Sequence, residues 1–210
     1  MANIYLSKTE AKSLKVQMRF ASSDNGHMYL NTAQFEVRSE HVTVVTTDGY
    51  RISATRYSTG AAHASVGEGE NFNVTVLAKD LRKALRAAGL ALIISPASVN
   101  VQGRVVLSYA AEKPFPTWEN MLPKTGQAED CKAYFNLAYA KQFLDWRYPD
   151  TRCVGQPSTS LLSPCIQAHE GAKCVWVWSE PGVRMVHVLM PVRLPRGKSE
   201  TSKNMEEWYR

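Results

Sequence analysis

The hydrophobic pattern of the chain repeats: a stretch of helical period followed by runs of strand period occurs three times. Helical spacing covers residues 7–21, 78–88 and 137–147, and short alternating or apolar runs follow each stretch. Apolar residues three and four positions apart line one face of a helix, whereas strict alternation lines one face of a strand. The repeat therefore predicts an α+β fold in which each unit combines one helix with several strands.

Residues that stop or start helices support these boundaries. Ser7 precedes the first helix and Glu10 follows three positions later, which is the spacing of a capping box. Gly89 ends the second helix and Pro149 the third. Residues 58–70 are small and polar and are interpreted as a loop between two halves. Strands are predicted at 28–30, 33–38, 42–47, 72–76, 91–94, 98–101, 105–109, 132–135, 160–168, 174–179 and 183–189.

Composition excludes several classes of protein. The 210 residues are enough for one large or two modest domains with a buried core. The sequence contains no run of about 18 apolar residues, the length needed to cross a bilayer, and its N-terminus has no signal-peptide pattern. A cytoplasmic protein is therefore expected. The 4 cysteines have no spacing typical of metal ligands and are interpreted as free thiols. The net charge of +6 is compatible with a polyanionic partner.

Positive charge is concentrated on the first two predicted helices. In the first, cations recur at intervals of four, three and four residues, which places them on one stripe opposite the apolar face. Such stripes suit contact with DNA phosphates, although a solvated amphipathic helix has the same pattern. The first stripe consists of Lys8, Lys12, Lys15 and Arg19, and the second helix carries Lys79, Arg82, Lys83 and Arg86.

Three strings go beyond periodicity. The first combines YLN at 29–31 with TTDGYRIS at 46–53, the second is FPTWENMLP at 115–123, and the third is HVLMPVRL at 187–194. With FNLAY at 135–139, they resemble segments of the middle and last domains of the bacterial DNA polymerase III β subunit family, the sliding clamps. The first two strings have the order and separation found in that family.

The resemblance implies the DNA clamp fold, in which repeated βαβββ half-domains place helices along the inside of a ring and sheets outside. It implies a complete clamp domain at 1–123, a half-domain at 124–194 and a polar tail at 195–210. The family's first domain and the first half of its third would be missing. The chain is therefore interpreted as a shortened, divergent clamp of plasmid or phage type.

The function implied by the resemblance is not enzymatic. A clamp encircles duplex DNA without reading its sequence and tethers a replicative DNA polymerase, with no catalytic residue, metal or cofactor. The basic helix residues named above would line the DNA. Polymerase and clamp-loader peptides would bind an apolar cleft whose matching positions are Leu30, Thr47, Gly49, Tyr50, Arg51, Ile52, Pro123, Val188, Met190, Pro191, Val192 and Arg193.

The resemblance also implies the size of the assembly. Rings of this family contain twelve half-domains, and this chain supplies three. A homo-oligomeric ring of four copies is therefore expected, and a cyclic arrangement is favoured over alternating faces because polymerase and loader need one distinguishable side.

A basic metal-dependent nuclease or recombination factor stays open as the alternative. Asp48 with Glu36, Glu119 or Asp145 would then supply metal-binding carboxylates, but their spacing matches no metal motif. A helix-turn-helix regulator is not favoured, because strands rather than a second helix follow each helix.

Overall fold

Two antiparallel β-sheets and two α-helices make up the part of the chain that the computed structural model describes, which is residues 1–59, 63–85, 90–110, 113–121, 167–169, 173–180 and 182–189. The fold class is α+β, as predicted. The elements are β1 (Ala2–Leu6), α1 (Lys8–Gln17), β2 (Thr32–Arg38), β3 (His41–Thr47), β4 (Arg51–Ser58), β5 (Ala64–Val66), β6 (Phe72–Leu77), α2 (Ala78–Ala84), β7 (Leu90–Ser95), β8 (Ser98–Val101), β9 (Arg104–Leu107), β10 (Gln167–His169), β11 (Lys173–Glu180) and β12 (Val183–Leu189).

The first two units exchange their opening strands. β1 pairs with β7 of the second unit, in a five-stranded sheet of order β5-β1-β7-β8-β9, here called the short sheet. β6 pairs with β2 of the first unit, in a seven-stranded sheet of order β10-β11-β12-β4-β3-β2-β6, here called the long sheet. Each unit therefore has the order βαβββ, and neither completes its sheet without the other.

One apolar core joins both sheets and both helices. Leu14 of α1 and Leu81 of α2 are buried in the same cluster as Ile4 and Leu92 of the short sheet and Phe35 of the long sheet. Strand side chains alternate between two faces, so the long sheet has an inner face on this core and an outer face on the far side.

The first helix begins as predicted and ends earlier. The Ser7 hydroxyl accepts a hydrogen bond from the Glu10 amide at 3.2 Å, and the Glu10 carboxylate accepts one from the Ser7 amide at 2.7 Å. The predicted helix extended to residue 21, but α1 gives way to a 3₁₀ turn at Met18–Phe20. In α2, residues 78–84 agree with the prediction, Leu85 is the non-helical C-cap, and residues 86–89 lie outside the described part.

The prediction of a strand at 28–30 was wrong. These residues belong to a 3₁₀ segment, Asn25–Asn31, which begins where the Asp24 carboxylate accepts a hydrogen bond from the Gly26 amide at 2.9 Å. The loop predicted at 58–70 was wrong in part, because β5 pairs there with β1. The segment 2–6 was not predicted as a strand, although the structure makes it β1.

The strands β10, β11 and β12, within residues 167–189, extend the long sheet. β12 pairs with β4 through seven residue pairs, and β11 and β10 follow beyond it. The strands predicted at 174–179 and 183–189 are confirmed, and only residues 167 and 168 of the one at 160–168 are described. The predicted helix at 137–147, the strand at 132–135 and the tail lie outside the described residues. No helix in the described part is long and apolar enough to span a membrane.

Gln17 fastens the end of α1 to the long sheet. Its side-chain amide is fully buried and donates hydrogen bonds to the carbonyls of Val44, at 2.9 Å, and Ser53, at 3.0 Å. Its amide oxygen accepts from the Thr55 hydroxyl at 2.8 Å, and its backbone carbonyl accepts from Thr46 at 3.1 Å. One side chain thus ties the helix to β3 and β4 together.

Replacing Gln17 by leucine should therefore destabilise the protein strongly. Two buried carbonyls and one buried hydroxyl would lose their partner, so we expect Gln17→Leu to lower the free energy of unfolding by about 3 kcal/mol. Urea unfolding followed by circular dichroism measures the loss. Gln34→Leu is the control, because Gln34 is half-buried and makes one side-chain bond, to Glu36. It should cost about 1 kcal/mol, and equal losses for the two variants would contradict the role of Gln17.

Candidate functional site

The end of the first basic stripe and the basic residues of α2 meet at one groove. α2 packs against α1 and against the 3₁₀ turn that follows it. A groove of about 600 Å³ lies between α2 and the segment that follows α1, and it is lined by Arg19 from the first stripe and by Lys79, Arg82 and Lys83 from the second. The strand exchange therefore places the ends of the two predicted stripes on one continuous surface.

Most of the predicted DNA-lining side chains reach solvent. Lys8, Arg19, Lys79 and Arg82 are exposed. Lys83 is exposed and lies 3.5 Å from the Asp80 carboxylate, a weak surface pair. Lys12 and Lys15 are half-buried, and Arg86 lies outside the described residues. Long cations on a smooth surface can contact phosphates in any register, because they read no base edges.

The predicted partner cleft is organised by a tight turn between β3 and β4. Asp48 Oδ1 accepts hydrogen bonds from the backbone amides of Tyr50 and Arg51, at 3.0 and 3.1 Å. Gly49 has φ +89°, a conformation that L side chains rarely adopt, and a Cβ on it would lie 3.6 Å from Leu30. The Thr47 hydroxyl accepts from the Gly49 amide at 3.1 Å. The turn therefore brings Leu30, Thr47 and Gly49 together.

Arg51 does not take the place expected for it. In the cleft that the resemblance implies, the Arg51 stem would form a wall and its guanidinium would pair at the rim, but the side chain is buried. Nε donates to Asp48 Oδ2 at 2.9 Å, Nη2 donates to the Arg19 carbonyl at 3.1 Å, and the guanidinium lies 4.5 Å from the Phe20 ring centroid. The half-buried Asp48 carboxylate and the buried Phe20 ring both attract the guanidinium, which therefore points into the protein. Arg51 thus supports the turn from behind.

The apolar cleft residues lie beneath a cover formed by the chain itself. Ile52 and Val188 are cross-strand partners on the outer face of the long sheet, and both are buried. They belong to a small cluster with Trp118, against which Phe115 packs. Trp118 is held in place by a hydrogen bond from Nε1 to Glu36 Oε1, at 2.9 Å. Ile52 and Val188 therefore form the floor of this surface.

Among the described residues of the predicted cleft, only those in the turn are exposed to solvent. Gly49 and Tyr50 are exposed, with Tyr50 at 65%, whereas Leu30 and Thr47 are buried. The structure brings these residues to one end of β3, β4 and β12. The remaining predicted cleft residues, Pro123, Met190, Pro191, Val192 and Arg193, lie outside the described part.

The carboxylates of the alternative nuclease site do not converge. Asp48 is occupied by Arg51 and the turn, Glu36 accepts from Trp118 and Gln34, and Glu119 is exposed. Asp145 lies outside the described residues, which contain no group of three or more His, Cys, Asp or Glu side chains placed to hold a metal ion.

A buried histidine behind the turn was not recognised from the sequence as a site residue. His187 of β12 is fully buried, and its ring makes an edge contact with Phe20 at 4.7 Å between centroids. Burial, together with a smaller effect of the positive charge of Arg51, lowers the pKa of His187 to about 3. The only sequence signal was its position between apolar residues of a predicted strand.

Comparison with solved structures identifies the fold. The DNA polymerase III β subunit of Pseudomonas aeruginosa matches with a TM-score of 0.60 and 14% identity, over 92% of this chain and 67% of that one. The β clamp of H. pylori matches with 0.62 and 10%, over 92% and 66%, and the β subunit of Thermotoga maritima with 0.59 and 10%, over 92% and 66%. No protein-family model and no curated protein matches the chain.

The chain therefore has the sliding-clamp fold, as its sequence resemblance predicts, and it spans about two thirds of the length of these structures. At 10% to 14% identity, the likeness concerns the fold.

The buried His187 makes stability depend on pH. Its folded-state pKa of about 3 lies below the ordinary 6.5, so protons bind the unfolded chain more tightly. This contribution is complete above pH 6.5 and is lost as the pH falls toward 3, by about 2 kcal/mol at pH 5. Chemical unfolding at pH 7.5 and pH 5 measures it. His187→Phe should reduce this difference, whereas His27→Gln, at an exposed histidine, should keep it. An unchanged difference in His187→Phe would contradict the assignment.

Proposed function

We propose that the protein is a DNA sliding clamp, a non-enzymatic ring that encircles duplex DNA and tethers a replicative polymerase. The observation that carries the proposal is the groove that places Arg19, just after α1, beside the basic side chains of α2, on a chain with the sliding-clamp fold. Arg19, Lys79 and Arg82 are exposed there, and none of them has a carboxylate partner within the described part of the chain. Cations of this kind exchange freely with DNA phosphates.

Ring closure is part of the proposal. β4 and β9 end the two βαβββ units in equivalent positions, and β4 is covered by β12. β9 pairs on one side only among the described strands, and its Val105 and Leu107 are 57% and 71% exposed. An unpaired strand edge with exposed apolar side chains is suited to pairing with a second chain. A neighbouring copy would cover β9 as β12 covers β4.

The size of the ring follows from counting half-domains. The proposed arrangement has a complete clamp domain at 1–123 and a half-domain at 124–194, which gives three halves per chain. Twelve halves, as in rings of the sliding-clamp family, require four copies, or about 94 kDa from a 23.5 kDa chain. Native mass spectrometry at micromolar concentration should show this mass, and Leu107→Glu should shift it toward the monomer. A stable dimer or trimer would contradict the count.

Contact with DNA should be electrostatic and independent of sequence. Binding of a labelled linear duplex, followed by fluorescence anisotropy between 50 and 200 mM salt, should weaken steeply as salt rises. Arg19→Gln with Arg82→Gln should reduce the slope of log K against log salt by up to about 2, since each lost phosphate contact removes about 0.9.

Lys113→Gln is the control for the DNA measurement, because Lys113 is exposed and does not itself line the groove. It should leave the slope unchanged. If the control changed the salt slope as much as the Arg19 and Arg82 variant, the groove would not be the DNA-binding surface. A strong preference for one DNA sequence would also contradict the proposal.

The turn beside Leu30 is proposed to receive peptides from polymerase and clamp loader. A short peptide with a glutamine and two spaced apolar residues should bind with micromolar affinity, about 8 kcal/mol. Tyr50→Ala should weaken binding by about 2 kcal/mol, because exposed aromatic side chains dominate such contacts. Tyr5→Ala, which removes a 49% exposed tyrosine from the short sheet, should have no effect. Titration calorimetry measures the peptide affinity of each variant. Identical affinities for the two variants would reject the turn as the peptide-binding site.

A further inference from the structure

The outer face of the long sheet carries a basic cluster far along the strands from the turn. One cross-strand row consists of Glu36 on β2, Thr43 on β3, Arg56 on β4 and Arg184 on β12. This row lies on the same face as Trp118, which packs over Ile52 and Val188, because Trp118 donates a hydrogen bond to Glu36. The basic helices belong to the opposite, inner side. The cluster is thus a second positive surface, separate from the DNA-lining groove.

The two arginines of this row oppose each other without a neutralising partner. Arg56 and Arg184 are direct cross-strand partners, and like charges in that position destabilise a strand pair. Neither makes an ion pair with a carboxylate in the described part of the chain. Glu36, the one acid of the row, already accepts hydrogen bonds from Trp118 at 2.9 Å and from Gln34 at 2.7 Å. The strand pairing therefore retains an uncompensated repulsion.

A small polar pocket lies at this pair. It has a volume of about 280 Å³ and is lined by both arginines together with His41, Ser58, Gly182 and Glu40. Arg56 Nε donates to the Thr43 hydroxyl at 3.3 Å, which orients the guanidinium within the row. Arg184 is exposed and Arg56 half-buried, so both charges can be reached from solvent.

The field in the pocket is positive. Burial lowers the pKa of His41, and the charges of Arg56 and Arg38 lower it further, against a smaller opposing effect of Glu40 and Glu36. Arg38 lies opposite His41 on β2 and donates to the Asn73 side chain at 2.9 Å. The imidazole thus experiences more positive than negative charge in its surroundings.

We propose that this outer pocket binds a phosphoryl group. Two guanidinium groups with a hydroxyl and an imidazole beside them match the oxygens of a phosphate, which arginine contacts through paired N–H donors. The described residues that line the pocket include no Phe, Tyr or Trp, so none of these rings is available there to stack on a nucleobase. A bound phosphate would also relieve the repulsion between Arg56 and Arg184. The group comes either from the backbone of a nucleic acid strand or from a free phosphate ester.

Titration of the intact protein with inorganic phosphate, at constant ionic strength and with chloride as the reference anion, tests the proposal. Backbone and His41 NMR signals near the pocket should shift saturably, with a dissociation constant in the millimolar range. Arg184→Gln and Arg56→Gln should each raise this constant at least fivefold. Arg104→Gln removes the same charge from an exposed position on β9 and should change it less than twofold. Arg184 is exposed, so its substitution preserves the fold.

A second arm identifies the source of the phosphoryl group. A six-nucleotide oligothymidylate without terminal phosphate supplies only phosphodiesters, and a loss of its affinity in Arg184→Gln but not in Arg104→Gln identifies a nucleic acid strand. An effect of Arg184→Gln on inorganic phosphate alone identifies a phosphate monoester. Absence of saturable shifts with both probes, or equal losses in Arg184→Gln and Arg104→Gln, would overturn the proposal.

Discussion

The exchange of β1 and β6 between the two βαβββ units is the constraint on which the rest of the structure depends. Each unit contributes its opening strand to the other's sheet, so neither sheet has its full set of strands until both units are folded. The exchange also fixes the helices, since α1 follows β1 and α2 follows β6 directly. This pairing, together with the packing of α2 against α1 and the 3₁₀ turn, places Arg19 and the basic residues of α2 at one groove.

The same arrangement divides the surface of the long sheet into distinct regions. The inner face holds the core and the Gln17 side chain, which joins α1 to β3 and β4. The outer face has the Asp48–Gly49 turn at one end, the Trp118 cover in the middle and the Arg56–Arg184 pocket toward the other. Because β12 completes this face, the last segment of the chain contributes to the floor near the turn and to the pocket.

Local sequence signals predicted many of the regular elements but missed β1, β4 and β5. The capping box at Ser7, the alternation in β2, β3, β6, β7 and β8, and the hairpin of β11 and β12 are properties of adjacent residues. The strand at 28–30 was wrong because an Asp24 hydrogen bond competes with extended backbone, and apolar residues alone do not reveal it. β1 was not predicted, because five residues at the N-terminus are too few to show a clear alternation. Its strand conformation depends on pairing with β7 and β5.

The site residues were less predictable, since their roles depend on partners distant in sequence. Arg51 is drawn inward by Phe20, and Trp118 bonds Glu36, 82 residues away. Gln17 looked like an ordinary polar residue in a helix, although it holds four groups of the sheet and helix end together. The opposition of Arg56 and Arg184 follows from the register of β4 and β12, which no local pattern specifies.

The central claim is that these sheets continue from copy to copy around a closed ring. Electron microscopy of the purified protein tests it most directly, since two-dimensional class averages show the outline and any central opening. The account predicts closed rings with an opening wide enough for a DNA duplex and with helices along its inner wall. Compact particles without an opening, at concentrations where the protein is oligomeric, would contradict it.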